Sequence, residues 1–583
     1  MAMPIGTSPH RAVALPVLSI VLLGLAATGN GETIVFGGGP GSRAWDQEYS
    51  EIAVIDFETN PGSIQPLQND PEDNISLKLI ERGGQITSPN ARTVLEVTQG
   101  EFEDLLDNMV DGRNTAFEIK IPSATGIILR FDLGERFGVN RIRFFPREGF
   151  EEFFLKGYLV RLNDGSEEQQ TVSGNPDLRL FKTVERNLDP VVDLAVPLQF
   201  VRFIEVKQLV RGEWEIDEFE IFGEGFTSAA AYISNVFDED RPAVFGGITW
   251  AKETIGEPAK VSATVSTRSG HTPDPSDSLE WSGWSLPYPA GVRTPIASPA
   301  PRQYWQFRVL FQSSDILSAA TVDSIAVEVS PALADSVVGE VWPQDAVIGQ
   351  ATKLTYWVRS YNSSGFDQLD IKTQAPVEVI RSVQIDGADV AWDKEDTEDD
   401  DGNIVGVRIS FPRITGDNRL LRVVFESIAL HYNTVFIGRV FDTQRPQNLP
   451  QTVVPGDVDA DPVAEGDDLS VTTRVADNRI HFLEVAPAPF TPNGDGVNDQ
   501  TIVTYDIVNL TGGSPVSVQV YNLAGNLRRV IYSDLDIGGR YQRVWDGADD
   551  NGQMLLPGIY LVRVEVAADT GKKSKTAIVP LVY

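Results

Sequence analysis

The sequence predicts an all-β chain, a tandem array of β-sandwich domains (jelly-roll and Ig-like) following a signal peptide. Three observations carry this. Short runs rich in Val, Ile, Phe and Tyr recur along the chain, broken by clusters of Gly, Pro, Asn and Asp, which is the pattern of strands and turns. Gly and Pro are dense, at 50 and 36 residues. The length of 583 residues exceeds what one hydrophobic core supports, so several domains are expected.

Composition narrows the function. Acidic residues number 83 against 48 basic, a net charge of −35. Nucleic-acid binding needs a basic footprint, and anionic membranes attract cations, so both are disfavoured as partners. The acidity fits solubility in a salty exterior, or calcium coordination by some of the clusters. Cysteine is absent, which excludes disulfides, thiol nucleophiles and cysteine metal sites. Only His10, His271, His431 and His481 are present, which is little material for a Ser-His triad or a zinc centre.

The apolar run 12–27, preceded by His10 and Arg11 and followed by small and polar residues, has the length of a signal-peptide core. It is too short and interrupted for a spanning helix. Residues 1–29 are therefore expected to be a cleaved leader, and no later segment is long and apolar enough to span. Residues 30–51, which include FGGGP (36–40), read as a flexible lead-in; no Gly-Lys-Ser/Thr follows, so this is not a phosphate loop.

Residues 52–225 contain VDGRNTAF (110–117), IILRFDLG (127–134), VNRIRFFP (139–146), VRFIEV (201–206) and WEIDEFEIFG (214–223), in that order. The order resembles the discoidin-like family (coagulation factor V/VIII type C) of galactose-binding-like jelly rolls, without the cysteine pair of many animal members. The resemblance implies loops at one end that bind glycans, lipid head groups or proteins. It also implies a structural calcium near the early Asp-Gly turn, with Asp111 as a ligand. A plain turn, with Gly112 at positive φ, explains the same two residues. Trp214 and Phe117 are expected in the core.

Residues 226–331 read as a second sandwich, carrying WSGWS (281–285) and RQYWQFR (302–308). Trp281 and Trp284 suit either a sugar-stacking surface or a turn feeding the core. Residues 332–480 read as an Ig-like sandwich with strands such as KLTYWV (353–358) and LRVVF (421–425). Its acidic run 393–401 is expected to be a solvated loop. Asp457, Asp459 and Asp461 alternate like the start of a calcium loop, but Pro462 stands where the EF-hand needs Gly.

The last unit, 481–583, holds PFTPNGDGVND (489–499), VSVQVYNLAG (516–525), WDGADDNG (545–552) and PGIYLVRV (557–564). It resembles the Ig-like domain first named in the flagellar hook-cap protein, and the type IX secretion sorting domains that end many exported bacterial proteins. Lys572, Lys573 and Lys575 resemble the basic stretch of such domains; a solvated hairpin explains them equally. Asn493, Asp495, Asn498 and Asp499 offer oxygen ligands for calcium, as do Asp546, Asp549 and Asp550. Tight Asn-Gly and Asp-Gly turns account for both groups without an ion.

The expected function is that of a non-catalytic, exported cell-surface or secreted binding and adhesion protein. Its partners would be an extracellular glycan or surface protein, met through the discoidin-like unit, and a secretion or attachment machinery, met through the last domain. Two other classes fit the composition: an accessory region of a carbohydrate-active enzyme, and a structural subunit of a surface layer or appendage. No catalytic residue is read from the sequence. Calcium is the one cofactor its residues suggest.

Overall fold

The computed structural model describes residues 31–95, 97–399, 402, 404–458, 466–474, 479–510, 512–568 and 571–583. Strand makes up 55% and helix 6%, in antiparallel sheets that face each other as tandem sandwiches rather than closing into barrels. The expected leader, 1–29, lies outside the described residues.

The segment expected as a flexible lead-in is instead structural. Strand Glu32–Gly37 pairs with Ala319–Pro331, from Glu32 opposite Val329 to Gly37 opposite Ser324. Strand Tyr49–Ala53 pairs with Ala229–Ser234. Both complete an eight-stranded sheet with Phe237–Ile255, Val261–Gly270, Thr294–Pro295 and Arg302–Ser313. Phe36 is the reason the strand is held. It is fully buried against Phe237, Trp305 and Phe307, with ring centroids at 5.0, 6.2 and 4.8 Å. The glycines suggested flexibility, but at Gly37 the backbone runs so close to Trp45 that a Cβ would lie 2.2 Å from Nε1.

The unit expected to be discoidin-like is thus an insertion between the early strands of this sandwich and the rest of it. The chain leaves through Gln68–Asn69 and returns through Gly225–Phe226, and these two short strands pair. Its core, from Ile75 to Ile221, is separate from the core running from Phe36 to Val329, and Val54 packs against both. Inside the insertion, Ile128–Phe145 and Val192–Gln208 form the centre of a six-stranded sheet. Phe219 stacks on Phe131 and Phe144 at 4.0 and 5.5 Å. A helix, Gln99–Asp107, starts at a capping box in which Thr98 Oγ1 accepts from Glu101 N and Glu101 Oε2 accepts from Thr98 N. It buries Phe102 and Leu106, one turn apart. A two-stranded sheet, Phe117–Ile119 with Trp214–Ile216, covers the opposite layer.

The third unit packs a six-stranded sheet, including Ala351–Tyr361 and Arg419–Ile428, over a five-stranded one, including Ser363–Lys372 and Ile404–Gly416. The first six residues of its acidic run do not form a loop. Asp393–Glu398 is an edge strand on Ile404–Gly416, with Glu395 opposite Arg408. An edge tolerates such charge because one side of it faces water, and the charge protects the edge from pairing with other chains. Asp400 and Asp401 lie outside the described residues, as do Asp459 and Asp461 of the alternating run.

The last unit opposes a three-stranded sheet (Ile480–Ala486, Thr501–Ile507, Gly539–Trp545) to a four-stranded one (Leu527–Asp536, Ser514–Asn522, Gly558–Ala568, Gly571–Leu581). Tyr560, Val562, Val564 and Val566 point into its core from one face of their strand, as the sequence period indicates.

Candidate functional site

Acidic side chains converge where the Asp111 turn meets the segment 214–218 of the inserted unit. Glu215 stands opposite Glu118 across the two-stranded sheet, and like charges placed so would repel. Arg147 resolves this. Its Nε donates to Glu215 Oε1 at 3.1 Å, its Nη2 donates to Glu215 Oε2 at 2.6 Å, and it also pairs with Glu118. These carboxylates hold the Arg147 guanidinium above its ordinary pKa.

Asp217 and Glu218 have no such partner. Both are buried, and neither Asp217 Oδ1 nor either Glu218 carboxylate oxygen has a hydrogen-bond partner. Burial, with Glu215 and Asp111 nearby, pushes the Asp217 carboxyl up to about 6. Burial also pushes Glu218 up to about 8; Asp111, Asp217 and Glu220 add to it, and the Gly112 amide offsets only part. Asp111 itself is half-committed to its turn: Oδ1 accepts from Arg113 N and Oδ2 from Thr115 Oγ1, both at 2.8 Å. Gly112 takes φ +69, as the turn reading requires. Among the described residues no three His, Cys, Asp or Glu side chains form a metal-holding group. Buried oxygens without donors, as on Asp217 and Glu218, are what a proton or a hard cation satisfies.

The acidic loop of the last unit is arranged the other way. Asp499 Oδ1 accepts from the amides of Asn493 and Gly494 at 3.0 and 2.7 Å, and Oδ2 from that of Gly496 at 2.7 Å. These amides hold its carboxyl below the ordinary carboxylate value. Asn493 Oδ1 accepts from Asp495 N, and Asp495 Oδ1 from Val497 N. Asn498 occupies the left-handed region at φ +55. Internal hydrogen bonds thus account for this loop without an ion. Asp546, Asp549 and Asp550 likewise accept from the amides of Ala548, of Asn551 and Gln553, and of Val530.

A cleft of about 330 Å³ opens at the loop end of the inserted unit. Phe153, Phe154, Lys156, Gln208, Arg211 and Trp214 are among the residues that line it. Gln208 Nε2 donates to the carbonyls of Ala124, Val210 and Gly212, fixing the floor. Its Oε1 is buried with no partner, and so is the Nε1 of Trp214. Both residues contribute to the lining, while these two atoms themselves are shielded from water. Trp214 and Phe117 are both core residues, with rings 5.8 Å apart. In the second sandwich Trp281 is also buried, its Nε1 donating to Thr272 O at 2.9 Å, while Trp284 is only half-buried. Sequence reasoning missed the loop carrying Phe150, Phe153 and Phe154. Its signal was three phenylalanines within five residues directly after Pro146 and Gly149, where a turn rather than a core strand belongs.

Residues 485–581 match the family model described as the CHU_C type IX secretion signal domain. No curated protein matches the chain. Solved structures similar to part of it include a Streptococcus pneumoniae fucose binding module, 20% identical over 29% of this chain and 100% of that one, with a TM-score of 0.19. A Clostridium perfringens module, CpGH89CBM32-5, solved with GalNAc-β-1,3-galactose, is 17% identical over 25% of this chain and 99% of that one, with a TM-score of 0.20. Among the described residues no helix is long and apolar enough to cross a membrane.

Proposed function

We infer from the match of residues 485–581 to a type IX secretion signal domain that the chain is exported, either released or held at the surface. We propose that the exported protein is a non-catalytic binding and adhesion protein whose inserted discoidin-like unit takes an extracellular glycan at its loop end. The observation that carries this reading is the loop-end cleft itself, lined by the aromatic Phe153 and Phe154 and the cationic Lys156 and Arg211. Lys156 and Arg211 supply N–H donors for sugar hydroxyls. Phe153 and Phe154 add apolar faces for the C–H side of a pyranose ring. The lack of cysteine and the four histidines support binding rather than catalysis.

Calcium belongs to this proposal as a structural ion. Glu218 and Asp217 would hold it beside the Asp111 turn, and it would supply the positive charge that their buried oxygens lack. The test is a glycan array on the full chain, followed by titration of the best hit against Phe153→Ala. Binding weakened at least tenfold by that change supports the cleft. Unchanged affinity removes it.

A further inference from the structure

The second sandwich carries a ladder of aromatic and cationic side chains on the outer surface of its eight-stranded sheet. The segment 282–288 runs alongside Val261–Gly270, with Ser282 N donating to Ser269 O, Ser285 N to Thr267 O and Tyr288 N to Val265 O. This alignment sets WSGWS over the sheet. Trp281 packs so closely on Gly270 that a Cβ there would lie 2.4 Å from its ring. Arg268 then lies between two indoles, 5.3 Å from Trp281 and 4.4 Å from Trp284. Arg308 follows on Trp284 at 4.7 Å. The order is indole, guanidinium, indole, guanidinium.

The two guanidiniums differ in what they hold. Arg268 donates to Gln306 Oε1 from Nε at 2.8 Å and to Pro275 O from Nη1 at 3.3 Å. Arg308 ends the ladder half-buried, with its Nε shielded from water and without a partner. Neither pairs with a carboxylate among the described residues, although the chain has 83 acidic residues to choose from. Elsewhere on the same sheet Arg293 is gripped by Glu328 through both nitrogens. Across the sheet from Arg308 come Ile233 and then Glu51, two strands away and about 10 Å off. A buried charge without a counterion is costly, and burial lowers the pKa of both arginines.

We propose that the Arg308 end of this ladder is a binding site for an oxyanion that presents two oxygens to a guanidinium, a carboxylate or sulfate group carried by an acidic polysaccharide. A guanidinium fork matches such a group with two parallel hydrogen bonds, and the stack on Trp284 holds the fork in place beforehand. The overall negative charge does not prevent this, because repulsion from distant acids is screened over about 8 Å at physiological salt. The site is separate from the cleft of the inserted unit and stands or falls independently of it.

The test is calorimetric titration of the full chain, in EDTA at fixed ionic strength, with polygalacturonate, dextran sulfate and uncharged dextran. At least one charged polymer binds saturably and dextran does not; which of the two binds distinguishes a uronate carboxylate from a sulfate ester. Arg308→Gln weakens that binding at least tenfold, and Arg293→Gln leaves it unchanged. No binding by either charged polymer, equal binding by dextran, or equal losses in the two variants overturns the proposal. Should Arg308→Gln fail to fold, Arg308→Lys decides. It keeps the charge but not the fork, so it must also bind more weakly, and undiminished binding overturns the proposal.

Discussion

Two acid-rich turns of this chain look alike in sequence and are opposites in structure. Around Asp499, backbone amides occupy the carboxylate, and its proton affinity falls. Around Glu218, the Gly112 amide offsets only part of the burial, neither oxygen gains a full hydrogen bond, and its proton affinity rises. The difference teaches that an acidic stretch is left short of positive charge by what its oxygens lack. A loop that supplies its own amides is complete; a buried strand end that supplies none needs a proton or a metal.

The largest expected effect comes from extending the unpartnered cluster. Arg147→Ala leaves Glu215 buried beside Asp217 and Glu218, and removing one partner of a buried ion pair costs about 3–5 kcal/mol. Denaturant melts of the full chain should show an early transition for the inserted unit, partly restored by calcium.

Next is pH. Because the folded pKa of Glu218 is raised, its contribution to stability is complete below the unfolded value near 4.5 and is lost as pH rises towards about 8. In EDTA the inserted unit should therefore weaken by a few kcal/mol over that window, and calcium should flatten the curve. Asp499 has the opposite sign. Its lowered pKa gives stability that is present above about 3.8 and lost as pH falls below it, whether or not calcium is present.

The smallest effect is expected at Asp499. Asp499→Asn should lower the melting temperature of the last unit modestly, with no change in its response to calcium, because the loss is one of amide acceptors. The capping residue Thr98 gives a calibration of similar kind: Thr98→Ala removes a helix cap and should cost about 1 kcal/mol.

The last unit was the most legible part of the sequence because its signals are local. Asn-Gly and Asp-Gly turns and the alternation Tyr560, Val562, Val564, Val566 define strands without reference to distant residues. The insertion was not legible. Pairing of Glu32–Gly37 with Ala319–Pro331 joins segments with the whole inserted unit between them, and a six-residue strand carries no mark of its partner. The acidic edge strand Asp393–Glu398 was hidden because charge is shared by loops and sheet edges. Of the candidate cation site, Asp111 was visible as a turn, while Glu218 was not. In WEIDEFEIFG the acids alternate with apolar residues as on a solvent face, yet Asp217 and Glu218 are adjacent and both buried where the chain passes from one sheet to the other.

The contrast between the two turns reduces to one measurement, thermal melting of the full chain and of Glu218→Gln, each with EDTA and with calcium, at pH 7.5. In EDTA the variant should melt at the same temperature as the parent or higher, since it loses an unpartnered buried carboxylate. Calcium should raise the parent by about 2.7 kcal/mol over its own value in EDTA when the ion is at a hundred times its dissociation constant, and should leave the variant where it was. A variant that responds to calcium as the parent does, or that is less stable than the parent in EDTA, would contradict the assignment of Glu218 as the cation-seeking end of this chain.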